Sequence, residues 1–201
     1  MELPPPLQWS WVMSALIGAV AIAVLLFLWR WYRRRRAQRA LLVAMTAGAY
    51  EYLRNVLLPD GQGTPLHIDF LLLTARGIVV VDLRNIRGNV FGGDQMNEWT
   101  VMDGRIRYTF VNPQAALYDR QAAVRALANE TPVEGRIVFG NNCRFPKGLP
   151  SFTRMLESMA SDFPAIDRQA VSALPDGWQN EWRAIRDVCS PSSLVLPKAA
   201  V

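Results

Sequence analysis

Residues 67–88 read HIDFLLLTARGIVVVDLRNIRG. Two apolar runs, Phe70 to Leu73 and Ile78 to Val81, flank the break Thr74-Ala75-Arg76-Gly77, and an aspartate closes each outer end, Asp69 and Asp82. Short apolar runs bounded by breakers predict two buried strands joined by a tight reversal. A reversal centred on Ala75 and Arg76 pairs Leu73 with Ile78 and sets Asp69 opposite Asp82, with Cβ atoms about 5 Å apart. Side chains alternate along a strand, so His67 and Arg84 fall on that same face, one step along. A three-residue loop would instead slip the register by one and send the aspartates to opposite faces.

Two like charges facing each other are destabilising unless something neutralises them. A divalent cation would do so, held by carboxylate oxygens and water in the manner of Mg²⁺. Arg84 would do so as well, as an ordinary ion pair. Solvated strand ends are the third reading, and the residues alone leave all three open.

Upstream, Trp11 to Trp29 (WVMSALIGAVAIAVLLFLW) has no charge and no proline. As a helix it is about 28 Å long, enough to cross a hydrocarbon core. Trp9, Trp11, Trp29, Trp31 and Tyr32 bracket it as interfacial aromatics. A cleaved signal peptide needs a basic start and a small-residue cleavage site, whereas this segment follows the acidic Glu2 and ends in LFLWRWYRRRR. The expectation is therefore a single-pass anchor. Arg30, Arg33, Arg34, Arg35, Arg36 and Arg39 follow the span and no basic residue precedes it, which places the N-terminus outside and the remainder in the cytoplasm. The same arginines suit the anionic headgroups of a lipid bilayer at about 1 kcal/mol per cation.

These arginines also account for the net charge of +5. Setting those six and Glu2 aside takes the 22 cations and 17 anions to 16 of each. The basic balance speaks of membrane and gives no sign of nucleic acid. Cys143 and Cys189 read as two free thiols, and a single histidine, His67, excludes a histidine-rich metal centre.

Three segments follow: 1–40, anchor and basic juxtamembrane stretch; 41–145, the main domain; and 146–201, a helical extension with a loose tail. Apolar spacing of three and four predicts a helix ending before Pro59, followed by a loop over 59–63. Next come the two strands of the opening stretch, a short strand at Asn89 to Phe91, and a hairpin about Met102-Asp103-Gly104. A helix over Gln114 to Ala128 and a strand at Arg136 to Phe139 complete the main domain. Helices at about 151–161 and 178–188 fill the extension. The order predicts an α/β fold with a mixed sheet flanked by helices.

Gly48-Ala49-Tyr50-Glu51, Ile68-Asp69, Val81-Asp82-Leu83-Arg84-Asn85, Gly88, Trp99 and Phe110 with Asn112-Pro113 together resemble the nuclease-related domain, or NERD, family over about residues 45–140. That family is similar to the PD-(D/E)XK nucleases, which implies a restriction-endonuclease-like sheet. The resemblance implies that Asp69 is the metal-binding aspartate of the first strand, that Asp82 stands where glutamate is usual, and that Arg84 stands where lysine is usual. It matches Glu51 to an acidic residue on the preceding helix, so that Glu51, Asp69 and Asp82 would hold Mg²⁺. Asp69, Asp82 and Arg84 would then form the catalytic set. Arg84, with Arg105 and Arg107 on the hairpin, would meet nucleic-acid phosphate, although a solvated strand face suits the last two better. A glutamine expected after Asn-Pro is replaced by Ala116, with Gln114 and Gln121 nearby.

The departures matter. Arginine does not give up its proton, so Arg84 could clamp a phosphate and would not deprotonate water. Two functions remain open: a metal-dependent nuclease cleaving phosphodiesters, and a catalytically inactive nuclease-like binding or scaffold module at the membrane. The resemblance and the arginine-rich composition place either at a bacterial inner membrane.

Overall fold

The computed structural model describes residues 7–59, 63–163, 166–167 and 174–193. The middle of the expected 59–63 loop, Glu2 and the tail beyond Ser193 lie outside these. Two compact units divide between Ala40 and Leu41.

The first unit is most of α1 (Leu7–Thr46), 40 residues of uninterrupted helix. It is the one described helix long and apolar enough to cross a membrane. Its apolar side chains from Trp11 to Tyr32 are exposed. Two arginines fold back on aromatic rings one turn earlier, Arg33 over Trp29 at 4.9 Å and Arg35 over Trp31 at 4.1 Å from ring centroid.

In the second unit, β1 (Ala49–Leu58), β2 (Leu66–Thr74) and β3 (Gly77–Arg84) form an antiparallel run. The chain then leaves for β4 (Gly88–Phe91), β5 (Glu98–Asp103) and β6 (Ile106–Val111). It returns through α2 (Pro113–Arg125) to β7 (Val133–Phe139), which pairs parallel with β3. Short strands β8 (Cys143–Arg144), β9 (Thr153–Met155) and β10 (Ser190–Pro191) complete two mixed sheets, ordered β10-β1-β2-β3-β7-β9 and β6-β5-β4-β8. The α/β architecture is the one expected from the order of elements. Helix α3 (Met159–Asp162) is a single turn, and α4 (Asp176–Val188) carries Trp182 and Ile185 into the core.

The reversal between β2 and β3 has two residues. Thr74 pairs with Gly77, and the ladder continues through Leu73–Ile78 to Phe70–Val81. Thr74 Oγ1 donates to the Gly77 carbonyl at 2.9 Å and accepts from Arg76 N–H at 3.2 Å, pinning the turn. Ile78 and Val80 point from β3 into the main core, where Leu117 and Val124 of α2 cover them.

Two expectations are corrected. The stretch before Pro59 is strand β1, not helix, and Glu51 therefore lies on a strand. Two irregularities explain the misleading spacing: the register shifts between Ala49 and Glu51, and Asn55 takes φ of +56° between the paired residues Arg54 and Val56. These irregularities bring Tyr50, Leu53 and Val56, three residues apart, onto one core, where a regular strand would alternate. Likewise, the helix expected at about 151–161 is β9, then a 3₁₀ turn (Leu156–Ser158), then α3. There the chain satisfies its backbone by adding to the sheet beside β7. The later helix and the strand at Arg136 to Phe139 form where the sequence places them, and both cysteines are free thiols.

Gly77 sets the register of the hairpin: its φ is +114°, and a Cβ there would collide with the Pro132 carbonyl oxygen. Gly77→Ala is expected to lose about 2–4 kcal/mol of stability. Urea unfolding of the detergent-solubilised chain measures this, and an unchanged midpoint would refute the role given to the turn.

Candidate functional site

Just beyond the last paired rung, Phe70–Val81, the hairpin carries Asp69 and Asp82. Both are buried, at 7% and 4% exposure, and their carboxyl groups hydrogen-bond each other. Asp69 Oδ2 also accepts from the Leu83 N–H at 2.7 Å, so a side chain fills the place of the next ladder bond. Its Oδ1 lies 3.6 Å from His67 Nδ1.

Asp82 is held from two directions. Arg84, two residues on along the same strand, donates from Nη2 to Asp82 Oδ2 at 2.7 Å. Arg120 reaches in from α2, donating from Nη1 to the same oxygen at 3.2 Å and from Nε to the His67 carbonyl at 2.6 Å. The Nε of Arg84 is buried and has no partner among the described residues.

His67 completes the cluster. Asn55 donates through Nδ2 to the Ser192 carbonyl at 2.9 Å, which turns its Oδ1 towards His67 Nε2 at 2.8 Å. His67 Nε2 thus carries the proton, and the Nδ1 lone pair faces Asp69. Burial first, and then the Arg120 charge, keep the imidazole pKa below its usual value. Burial first, and then the Asp82 charge and hydrogen bond, push the Asp69 carboxyl up to about 6 against the opposing pull of the Leu83 N–H and Arg120. A carboxyl that holds its proton can donate it to Asp82.

The other sequence-predicted residues lie elsewhere. Glu51 takes the Trp182 indole N–H at 2.7 Å and Arg186 at 3.4 Å, a bonding role between β1 and α4. No acidic residue stands between Glu2 and Glu51, so the helix that precedes β1 brings no carboxylate at all. Arg105 and Arg107 are exposed on the β5–β6 hairpin of the other sheet. Gln114 bonds Asp94 at 2.7 Å and the Ser151 carbonyl at 2.9 Å, while Gln121 is buried against Gly135. Sequence reading missed Arg120 and Asn55. Arg120 had a signal: it follows Ala116 by four residues, one helical turn, on a helix whose Leu117, Gln121 and Val124 are buried.

A mixed sheet with a buried acidic pair and an arginine at the end of its central hairpin defines a nuclease-like α/β domain. Residues 30–140, more than half of the chain, match the nuclease-related domain model, and the chain belongs to that family. It is similar to an uncharacterized protein of Bacillus anthracis, 24% identical over 102 residues, which is 51% of this chain. The chain spans about half the length of that relative, 48%. No solved structure matches.

Members of such folds are often metal-dependent, and the residues present here do not fit a divalent ion. Among the described residues, no three His, Cys, Asp or Glu side chains are grouped to hold one. Asp82 Oδ2 takes two guanidinium donors, Asp69 Oδ2 takes a backbone N–H, and the two carboxyls are bonded to each other. Arg84 and Arg120 already supply the positive charge that the pair requires.

Asp69 makes a pH test available. Its folded pKa of about 6 lies above the ordinary value, so its contribution is full below the unfolded pKa near 3.8 and is lost as pH rises through 6. Asp69→Asn cannot ionise. The stability of the parent chain relative to this variant is expected to fall between about pH 4 and pH 6, by on the order of 2–3 kcal/mol, and to level off above. Urea midpoints across that range check it; parallel curves for the two proteins would contradict the assigned shift.

Proposed function

We propose that this chain is a membrane-anchored, nuclease-related module that binds or scaffolds without cleaving phosphodiesters. The observation that supports this reading is the pair of guanidiniums on Asp82, in a site with no third carboxylate. Water activation in a nuclease of this type needs a metal-bound hydroxide or a lysine that can give up its proton. Here Glu51 is engaged by Trp182 and Arg186, and the lysine position holds Arg84. Family membership favours hydrolysis as a second reading, but that reading needs both arginines to release Asp82.

The anchor is α1, with the domain in the cytoplasm and Arg30, Arg33, Arg34, Arg35, Arg36 and Arg39 against the anionic headgroups of a bacterial inner membrane. Nucleic acid is the ligand class to test first, at Arg105 and Arg107, both exposed and without an ion pair among the described residues.

Calorimetric titration of the full chain in detergent with Mn²⁺ or Mg²⁺ is expected to give no binding heat, and supercoiled DNA and structured RNA should remain uncut. Stoichiometric heat that disappears in Asp82→Ala, with nicking, would replace this reading by the hydrolytic one. For topology, protease added to inverted membrane vesicles should remove a C-terminal tag, while intact spheroplasts should protect it. The opposite pattern would reverse the orientation.

A further inference from the structure

The sheet β6-β5-β4-β8 turns one face to the main core and leaves the other to solvent. Val90, Trp99 and Val101 point inwards and are buried. Alternation sends their neighbours along each strand the other way. The register then sets one rung across all four strands: Arg144 beside Asn89, Asn89 beside Met102, and Met102 beside Arg107. All four are exposed. The next rung is Phe91, Thr100 and Thr109, and the one after it holds Glu98 and Val111. Phe91 is half-buried yet packs in neither core. Arg107 and Arg144 stand at the two ends of their rung, about 14 Å apart across three strand spacings, and Arg105 is in the adjoining turn. None of these three arginines has an ion pair among the described residues, whereas Arg87 is paired with Asp103 at 3.3 Å. Glu98 is the one acid on these rungs, two rungs from Arg107. We infer that this face binds single-stranded nucleic acid, with Arg107 and Arg144 on phosphates and the Phe91 ring beneath a base.

The inference rests on the nucleic-acid reading given above for Arg105 and Arg107, and goes beyond it by fixing strandedness and adding Arg144 and Phe91. A single strand offers phosphates along its backbone and bases with open faces. A flat sheet with cations at its borders and an aromatic ring between them meets both. A duplex keeps its bases stacked inside, out of reach of Phe91. Thr100 and Thr109 share the rung of the ring, and their hydroxyls can donate to or accept from base edges. A lipid surface would call for a protruding apolar tip, but the tip of this hairpin is Gly104-Arg105. A second copy laid face to face would bury three unpaired arginines against three more, with one glutamate from each copy to offset them.

The test uses the full chain in detergent with a fluorescent thymidine oligonucleotide of about 15 nucleotides, its duplex, and an abasic strand of equal charge. The juxtamembrane arginines attract the two single strands alike, so any difference between them reports on bases. The parent should hold the thymidine strand roughly tenfold tighter than the abasic one, and tighter than the duplex. Phe91→Leu keeps an apolar side chain and should erase the preference without moving the thermal unfolding temperature. Arg107→Gln with Arg144→Gln should weaken both strands about tenfold. Arg54→Gln with Arg183→Gln, which removes equal charge from exposed positions elsewhere, should change little. In hydroxyl-radical footprinting, Met102 and Phe91 should become protected when the thymidine strand is added. Equal affinity for thymidine and abasic strands, tighter binding of the duplex, or equal losses in the two double variants overturns the inference and leaves the non-cleaving module standing. Protection produced without oligonucleotide, by anionic vesicles or by raising the protein concentration, also overturns it and assigns the face to lipid or to a second copy. Cleavage of the strand, with the affinities as expected, would instead overturn the proposed function and uphold this face.

Discussion

The second unit is organised by a two-residue reversal that leaves its hairpin no choice of register. Once Thr74 pairs with Gly77, every side chain of β2 and β3 has its face assigned, and the apolar runs line two cores on opposite sides of one sheet. The same geometry brings two carboxyl groups together at the open end of the hairpin, in a place from which water is largely excluded. Such a pair cannot remain doubly charged without a counter-charge. The chain meets this demand with a guanidinium from the same strand and a guanidinium from the helix above, while burial raises the Asp69 pKa to about 6.

This arrangement separates the architecture of a nuclease from its chemistry. The sheet order, the position of the acidic pair and the helix that covers it follow from burying apolar strands and pairing β3 with β7 in parallel, and they would form with or without a metal. Cleavage asks for more: a water made nucleophilic and charge stabilised as the bond breaks. The donors that could supply these are turned inward to one another. Arg120 fills the His67 carbonyl and Asp82 together, and Leu83 fills Asp69.

How far the sequence could be read depends on the range of the interactions. The hairpin was legible because strand length, breaker and turn are all local, and Asp69, Asp82 and Arg84 could be set together by counting along it. Strand β1 was not, because a register shift at Tyr50 and the positive φ of Asn55 replaced the twofold alternation by a spacing of three, which is the mark of a helix. Glu51 was misplaced with it. Arg120 was invisible for another reason. Its partner lies 38 residues away, and only the packing of α2 on the sheet decides that this arginine, and not Arg125 five residues further on, meets Asp82. Arg125 instead bonds the Val133 carbonyl.

One of the irregularities that hid β1, at Asn55, is itself part of the cluster. Asn55 leaves the ladder at the level where Asp69 also has no partner on β1, and the pairing resumes at Val56 and Ile68 in the same register. The Asn55 side chain is then free to turn to His67, while its carbonyl and amide clasp the N–H and carbonyl of Ser192 beside β10. A residue held at positive φ stores strain that the surroundings must over-determine, and here three hydrogen bonds do so. The segment around Ser190 therefore does more than add a short edge strand. By fixing the Asn55 amide it fixes which nitrogen of His67 carries the proton.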